Sequence, residues 1–137
     1  KTVVVAGGKD LAAFGSAEAD AAKNTSNIFY PGYVTDAQNK ALMQNCKGFL
    51  HPAVFEGFGI PPLEALSLGA SIALARASCL PELYGDTARY FDPYDYDVDL
   101  DALFAKPVTP PDKVLAKYSW EKTARFWLDE IKKCAEA

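Results

Sequence analysis

His51-Pro-Ala-Val-Phe-Glu56-Gly-Phe-Gly59-Ile-Pro-Pro-Leu-Glu64-Ala-Leu-Ser-Leu-Gly69 brings two glycines and two carboxylates to the point where an extended segment becomes a helix. Gly48 to His51 reads as a strand, and Pro62 to Leu68 as a helix with proline near its first turn. Gly57 and Gly59 let the backbone approach a ligand closely. The exposed N–H groups and the dipole at the start of the following helix make a cradle suited to a diphosphate without any basic side chain. Glu64 is expected in the first turn, where its charge suits the dipole and its oxygens can accept from vicinal hydroxyls such as those of a ribose. Glu56 should point into the cleft. Taken singly, each feature has an ordinary reading as a turn or a favourable helix start; it is their combination that points to a ligand.

Working outward, strands and helices alternate. Thr2 to Ala6 is a β-branched run closed by Gly7-Gly8, the pattern of a parallel strand buried on both faces. A helix is expected from about Ser16 to Lys23. Asn27 to Tyr30 is a second strand, turned by Pro31-Gly32, and Thr35 with Gln38 makes a capping box for a helix reaching about Asn45. Ser71 to Ala75 is the next strand, Pro81 to Tyr84 one helical turn and Arg89 to Phe91 a short last strand. Val98 to Phe104, Pro111 to Tyr118 and Trp120 to Ala135 follow as helices. Alternation with short crossovers specifies an α/β fold, a Rossmann-like parallel sheet with helices on both faces. Such folds take ligands outside the carboxyl ends of the strands, here the loops after Ala6, Tyr30, Leu50 and Ala75. Only the loop after Leu50 is chemically loaded.

The loaded stretch resembles the Glu-x7-Glu signature of glycosyltransferase family 4, whose sequence runs His-Pro-Ser-x-x-Glu-Gly-Phe-Gly-x-Pro-x-x-Glu-Ala; Glu56 and Glu64 have that spacing. Tyr30-Pro-Gly-Tyr-Val34 resembles the segment before the base pocket, and Leu80-Pro-Glu-Leu through Phe91-Asp-Pro93 resembles a later landmark of the family. Ala53 stands where serine is usual, and Ala70-Ser71 where a residue followed by proline is usual. The resemblance implies the C-terminal, nucleotide-sugar-binding half of a retaining enzyme of GT-B architecture. Residues 1–137 would then be one donor domain within a longer two-domain protein, without its first strand-helix unit and the Arg and Lys that unit carries.

By that resemblance, Glu56 would be the catalytic carboxylate at the transferred sugar. Gly57, Phe58, Gly59, Ile60 and Pro61 would hold sugar and diphosphate, Glu64 the ribose, and Tyr33 and Val34 the base. His51, at the strand end beside the cleft, could touch the donor or be structural. No metal and no cofactor are expected, since helix dipoles and basic side chains neutralise the diphosphate. The donor would be a GDP- or UDP-linked hexose. The acceptor would be a glycan or lipid-linked hydroxyl held by the missing domain, and the enzyme a mannosyltransferase or similar hexosyltransferase of polysaccharide biosynthesis. Two other readings stand beside this one: a non-catalytic nucleotide-sugar-binding module, and a sugar-nucleotide epimerase of the same architecture. The isolated chain is expected not to catalyse transfer.

Composition narrows the field. The formal net charge is -4, and the scattered Lys and Arg give no electrostatic footprint for nucleic acid or an anionic membrane surface. Cys46, Cys79 and Cys134 are odd in number and widely spaced, which fits neither a disulfide framework nor a zinc site and suits a reducing, cytoplasmic setting. The full-length enzyme could associate peripherally with the inner face of a membrane. Pairing Glu56 with Glu64 as glycosidase acid and nucleophile needs carboxyls opposed across a sugar, which a loop and a helix start do not suit. The aspartates from Asp92 to Asp101 lack the glycine and terminal glutamate of an EF-hand and read as a solvated loop. Tyr118, Trp120, Phe126, Trp127 and Ile131 have spacings of a packed stripe, though the family's terminal helix often leans on another domain.

Overall fold

The computed structural model describes residues 1–7 and 26–136, so the helix expected from Ser16 to Lys23 lies outside the described residues. The chain divides into two compact units, Lys1–Leu42 and Met43–Ala137. In the first unit, β1 (Val3–Ala6) pairs parallel to β2 (Ile28–Gly32). The register runs Val3↔Ile28 and Val4↔Phe29, then Ala6↔Gly32, so one extra residue is accommodated on β2. This corrects the turn expected at Pro31-Gly32. A proline lacks the N–H a regular ladder needs, but an irregular stretch of a two-stranded sheet tolerates it.

β1 also departs from expectation. It is exposed along its whole length, with Val3, Val4 and Val5 at 37%, 42% and 42% of full exposure. A β-branched run favours a strand whatever covers it, and the burial on both faces read from it requires a wider sheet than the pair β1-β2. Helix α1 (Asp36–Asn45) begins at the capping box: Gln38 Oε1 accepts from Thr35 N at 2.9 Å and Thr35 Oγ1 accepts from Gln38 N at 3.3 Å. The boundary between the units falls within this helix, and its Met43 is buried in the core of the second.

In the second unit, β3 (Phe49–His51), β4 (Ile72–Ala75) and β5 (Arg89–Phe91) form a parallel sheet in the order β3-β4-β5. All four residues of β4 are buried, so the central strand is covered on both faces. Side chains alternate along a strand. Ile72 and Leu74 therefore enter a core with Leu66, Leu80, Tyr84 and Ala88, while Ala73 and Ala75 face the other way. The helices are α2 (Ile60–Ser67), α3 (Leu80–Tyr84), α4 (Leu100–Ala105), α5 (Asp112–Lys117) and α6 (Trp120–Ala135), with a 3-10 turn over Gly85–Thr87. The ring of Phe104 on α4 lies where a Cβ at Gly48 would be, so that glycine lets α4 close on the sheet beside β3. Parallel sheets with intervening helices make the fold α/β and Rossmann-like, as expected, with the described strands pairing within each unit as a two-stranded and a three-stranded sheet.

Two local readings change. Helix α2 opens at Ile60, two residues before the expected start, because Pro61 and Pro62 fit a first turn whose N–H groups have no intrahelical partner. Glu64 is therefore past the first turn, and the helix has no acidic residue there. The aspartates of the 92–101 loop are occupied with local structure. Asp92 Oδ1 accepts from Tyr94 N at 2.9 Å, Asp95 Oδ1 from Asp97 N at 3.0 Å, and Asp99 caps α4 through the N–H groups of Asp101 and Ala102. The C-terminal aromatics do not form a buried stripe: α6 has no buried residue, and Trp120, Phe126, Trp127 and Ile131 are all at least 60% exposed. No helix among the described residues is long and apolar enough to cross a membrane.

Candidate functional site

β3 ends at His51, which is in register with Leu74 of β4, so the loop 52–59 leaves the sheet at the carboxyl end of its strands. The His51 ring stacks on that of Phe49, centroids 6.2 Å apart and planes 14° apart. Its Nε2–H donates to Glu56 Oε1 at 2.8 Å, which puts the ring proton on Nε2 while the carboxylate is ionised. Both side chains are partly buried, at 15% and 27% exposure, so the bond is better shielded than a surface pair but the glutamate stays reachable. The lone histidine thus meets the carboxylate that the sequence marked as catalytic.

The loop's backbone is held from one side. The carbonyl of Glu56 accepts from Ser78 Oγ at 2.8 Å and from Cys79 Sγ at 3.2 Å. The carbonyl of Gly59 accepts from the Tyr84 hydroxyl at 2.6 Å. Gly59 has φ +77°, and a Cβ on it would stand 2.8 Å from Leu80 Cδ2. A glycine is required there both by backbone conformation and by the approach of α3. At Gly57, in contrast, a Cβ would meet open space. Phe58 packs edge-on against Tyr118, centroids 4.9 Å apart. Ile60, Pro61 and Glu64 are exposed along the start of α2.

His51, Glu56, Gly57, Phe58, Gly59, Ile60, Pro61 and Glu64 therefore lie on one strand end, one loop and one helix of the second unit. Tyr33, 75% exposed, and Val34 lie just past β2 in the first unit. Sequence reasoning did not find Ser78, Cys79 and Tyr84 as supports of the loop. The only signal near them was the Leu80-Pro-Glu-Leu landmark, because hydrogen bonds to a backbone carbonyl demand no particular spacing. Burial pushes the Tyr84 phenol well above its ordinary range, with Tyr118, Cys79 and Glu56 adding to the effect. It is thus a donor throughout the neutral range. Among the described residues no group of His, Cys, Asp and Glu is arranged to hold a metal ion.

Residues 2–102 match the family model described as glycosyl transferases group 1. The chain is similar to the serotype-specific mannosyltransferase WbdA of Escherichia coli, 34% identical over 116 residues, which cover 76% of this chain and 14% of that protein. It is similar to the O-antigen chain mannosyltransferase B of Escherichia coli, 40% identical over 70 residues, 51% of this chain and 18% of that protein. A third relative is the MMP alpha-(1->4)-mannosyltransferase of Mycolicibacterium hassiacum, 32% identical over 81 residues, 57% of this chain and 20% of that protein. The matched region thus spans a fifth or less of the length of these relatives. With most of its length on the family model and the Glu56-to-Glu64 loop at the carboxyl end of its sheet, the chain belongs to the glycosyl transferases group 1 family.

Proposed function

We propose that this chain is the donor-binding part of a retaining hexosyltransferase that moves mannose from a nucleotide-diphosphate sugar to a hydroxyl of a glycan or lipid-linked acceptor. The observation that carries the reading is the loop between β3 and α2, where Glu56 is held by His51 at 2.8 Å beside a helix start. A carboxylate fixed by one hydrogen bond keeps lone pairs for sugar hydroxyls. At the start of α2 the N–H of Ile60 is available to a diphosphate, Pro61 and Pro62 having none, and the helix dipole favours the negative charge. In this reading Glu56 meets the transferred sugar, Phe58 to Pro61 the sugar and diphosphate, Glu64 the ribose, and Tyr33 with Val34 the base. Polysaccharide biosynthesis and mannose as the hexose are supported by the names of the relatives, two of which are O-antigen or serotype-specific mannosyltransferases.

No metal is needed in this account, because the N–H groups of Gly57 and Ile60 and the dipole of α2 would offset the charge of the leaving diphosphate. The donor is GDP- or UDP-linked, the acceptor is supplied by another part of a longer protein, and the reaction takes place at the cytoplasmic side with peripheral membrane association. The test is to incubate the full-length protein with GDP-mannose or UDP-hexose and a hydroxyl acceptor, then to determine the anomeric configuration of the product. A glycoside with the donor's configuration supports the reading. Consumption of donor to an isomeric nucleotide sugar, with no acceptor product, would make the protein an epimerase instead.

A further inference from the structure

Three side-chain donors from the segment after β4 converge on two carbonyls of the loop after β3: Ser78 Oγ and Cys79 Sγ on Glu56 O, and the Tyr84 hydroxyl on Gly59 O. A peptide group is planar and trans, so its C=O and N–H point in opposite directions. Fixing the carbonyl of Glu56 therefore aims the N–H of Gly57 away from Ser78 and Cys79. Fixing the carbonyl of Gly59 likewise aims the N–H of Ile60 away from Tyr84. Among the described residues neither of these two amides donates to a protein acceptor. They flank Phe58 and Gly59, at the place where the loop becomes α2.

The supporting segment is itself in an unusual state. Ser78 has φ +51° and is the single non-glycine with positive φ among the described residues. A side-chain-bearing residue persists there only where its surroundings over-determine it. Here the surroundings are the bond from its own hydroxyl to Glu56 O and the start of α3 at Leu80, two residues later. Tyr84 is 2% exposed, and its hydroxyl reaches Gly59 from within the core.

We propose that Ser78, Cys79 and Tyr84 are positioning residues of the donor site, holding residues 56–59 so that the N–H groups of Gly57 and Ile60 are preset for the oxyanions of a sugar diphosphate. The proposal rests on the donor-site reading above and extends it to residues that touch no ligand. It makes the loop a preorganised anion receptor, with its alignment set by a neighbouring strand connection and not by the loop's own sequence.

The experiment is calorimetric titration of GDP-mannose and of UDP-glucose into the protein and three variants, with the melting temperature of each recorded. Ser78→Gly removes the hydroxyl and also relieves the positive φ, so it should fold at least as well as the parent. It should nevertheless bind the sugar nucleotide about tenfold more weakly, the effect of misaligning one charge-assisted hydrogen bond. Tyr84→Phe keeps the packing and should weaken binding by a similar factor. In the Ser78→Gly background, Cys79→Ser restores a hydroxyl donor beside Glu56 O and should recover most of the affinity. A purely structural hydrogen bond would not produce weaker binding without a lower melting temperature, nor that recovery. If the parent binds and all three variants bind equally well, the positioning role is wrong while the donor site stands. If the parent binds neither nucleotide sugar, the donor-site reading fails and the positioning role with it.

Discussion

The sole histidine, His51, donates from Nε2 to Oε1 of Glu56 at 2.8 Å, linking the last residue of β3 to the carboxylate in the loop that follows it. Phe49, two residues earlier on the same face of the strand, stacks on the imidazole and limits its rotation. The carboxylate is thus oriented by the sheet itself.

If Glu56 faces the transferred sugar, Glu56→Gln keeps its shape and removes its charge, and transfer by the full-length protein should fall by about 100-fold or more. His51→Ala leaves the charge but frees its position, and should cost less, about tenfold. Donor turnover at saturating nucleotide sugar checks both. Equal losses would mean that the pair acts as one unit.

Gly59→Ala places a Cβ 2.8 Å from Leu80 Cδ2 at φ +77°. The expected loss of stability is about 1–3 kcal/mol, read from the midpoint of urea unfolding. Gly57→Ala, where a Cβ meets open space, should cost much less.

Leu74 is fully buried at the centre of the three-stranded sheet. Leu74→Ala should destabilise the protein by about 2–5 kcal/mol through lost burial and a residual cavity. Denaturant unfolding followed by circular dichroism measures it.

Tyr84 and Tyr90 set the alkaline limit of stability. Burial raises both phenols above their ordinary value of 10.0; for Tyr90 it does so to about 12, opposed by Arg76 and aided by Asp86. Because the folded values lie above the unfolded one, their contribution is fully present below about pH 10. It is lost as pH rises from there through the folded values, since the unfolded chain releases its protons first. Urea midpoints should therefore show no loss from these two groups up to about pH 9 and fall above pH 10, with a shallower fall in Tyr84→Phe.

The sequence made the second unit legible because its signals are local and mutually consistent. The short apolar run of β4 and the prolines opening α2 each specify an element without reference to the rest of the chain, whereas the cap of α4 was not read, Asp99 having been placed inside a helix expected from Val98. The same local logic misplaced Glu64. Proline marks the first turn but does not say which helical position it fills, and the helix opens at Ile60. The β-branched run of β1 signalled a strand correctly and its burial wrongly, because burial depends on neighbours that a four-residue segment does not encode. At the site, the glycines and carboxylates of the loop were singled out by their resemblance to the Glu-x7-Glu signature. Ser78, Cys79 and Tyr84 were not, since their contacts to Glu56 and Gly59 close over sequence separations of 22 to 25 residues.

The most direct test of the central claim is calorimetric titration of the protein with UDP, GDP and ADP, repeated with Glu64→Ala. A donor site predicts saturable binding of one nucleotide that the substitution weakens, and the preferred nucleotide identifies the base. Binding of none of the three, or binding that Glu64→Ala leaves unchanged, would contradict the assignment of this loop and helix to a nucleotide sugar.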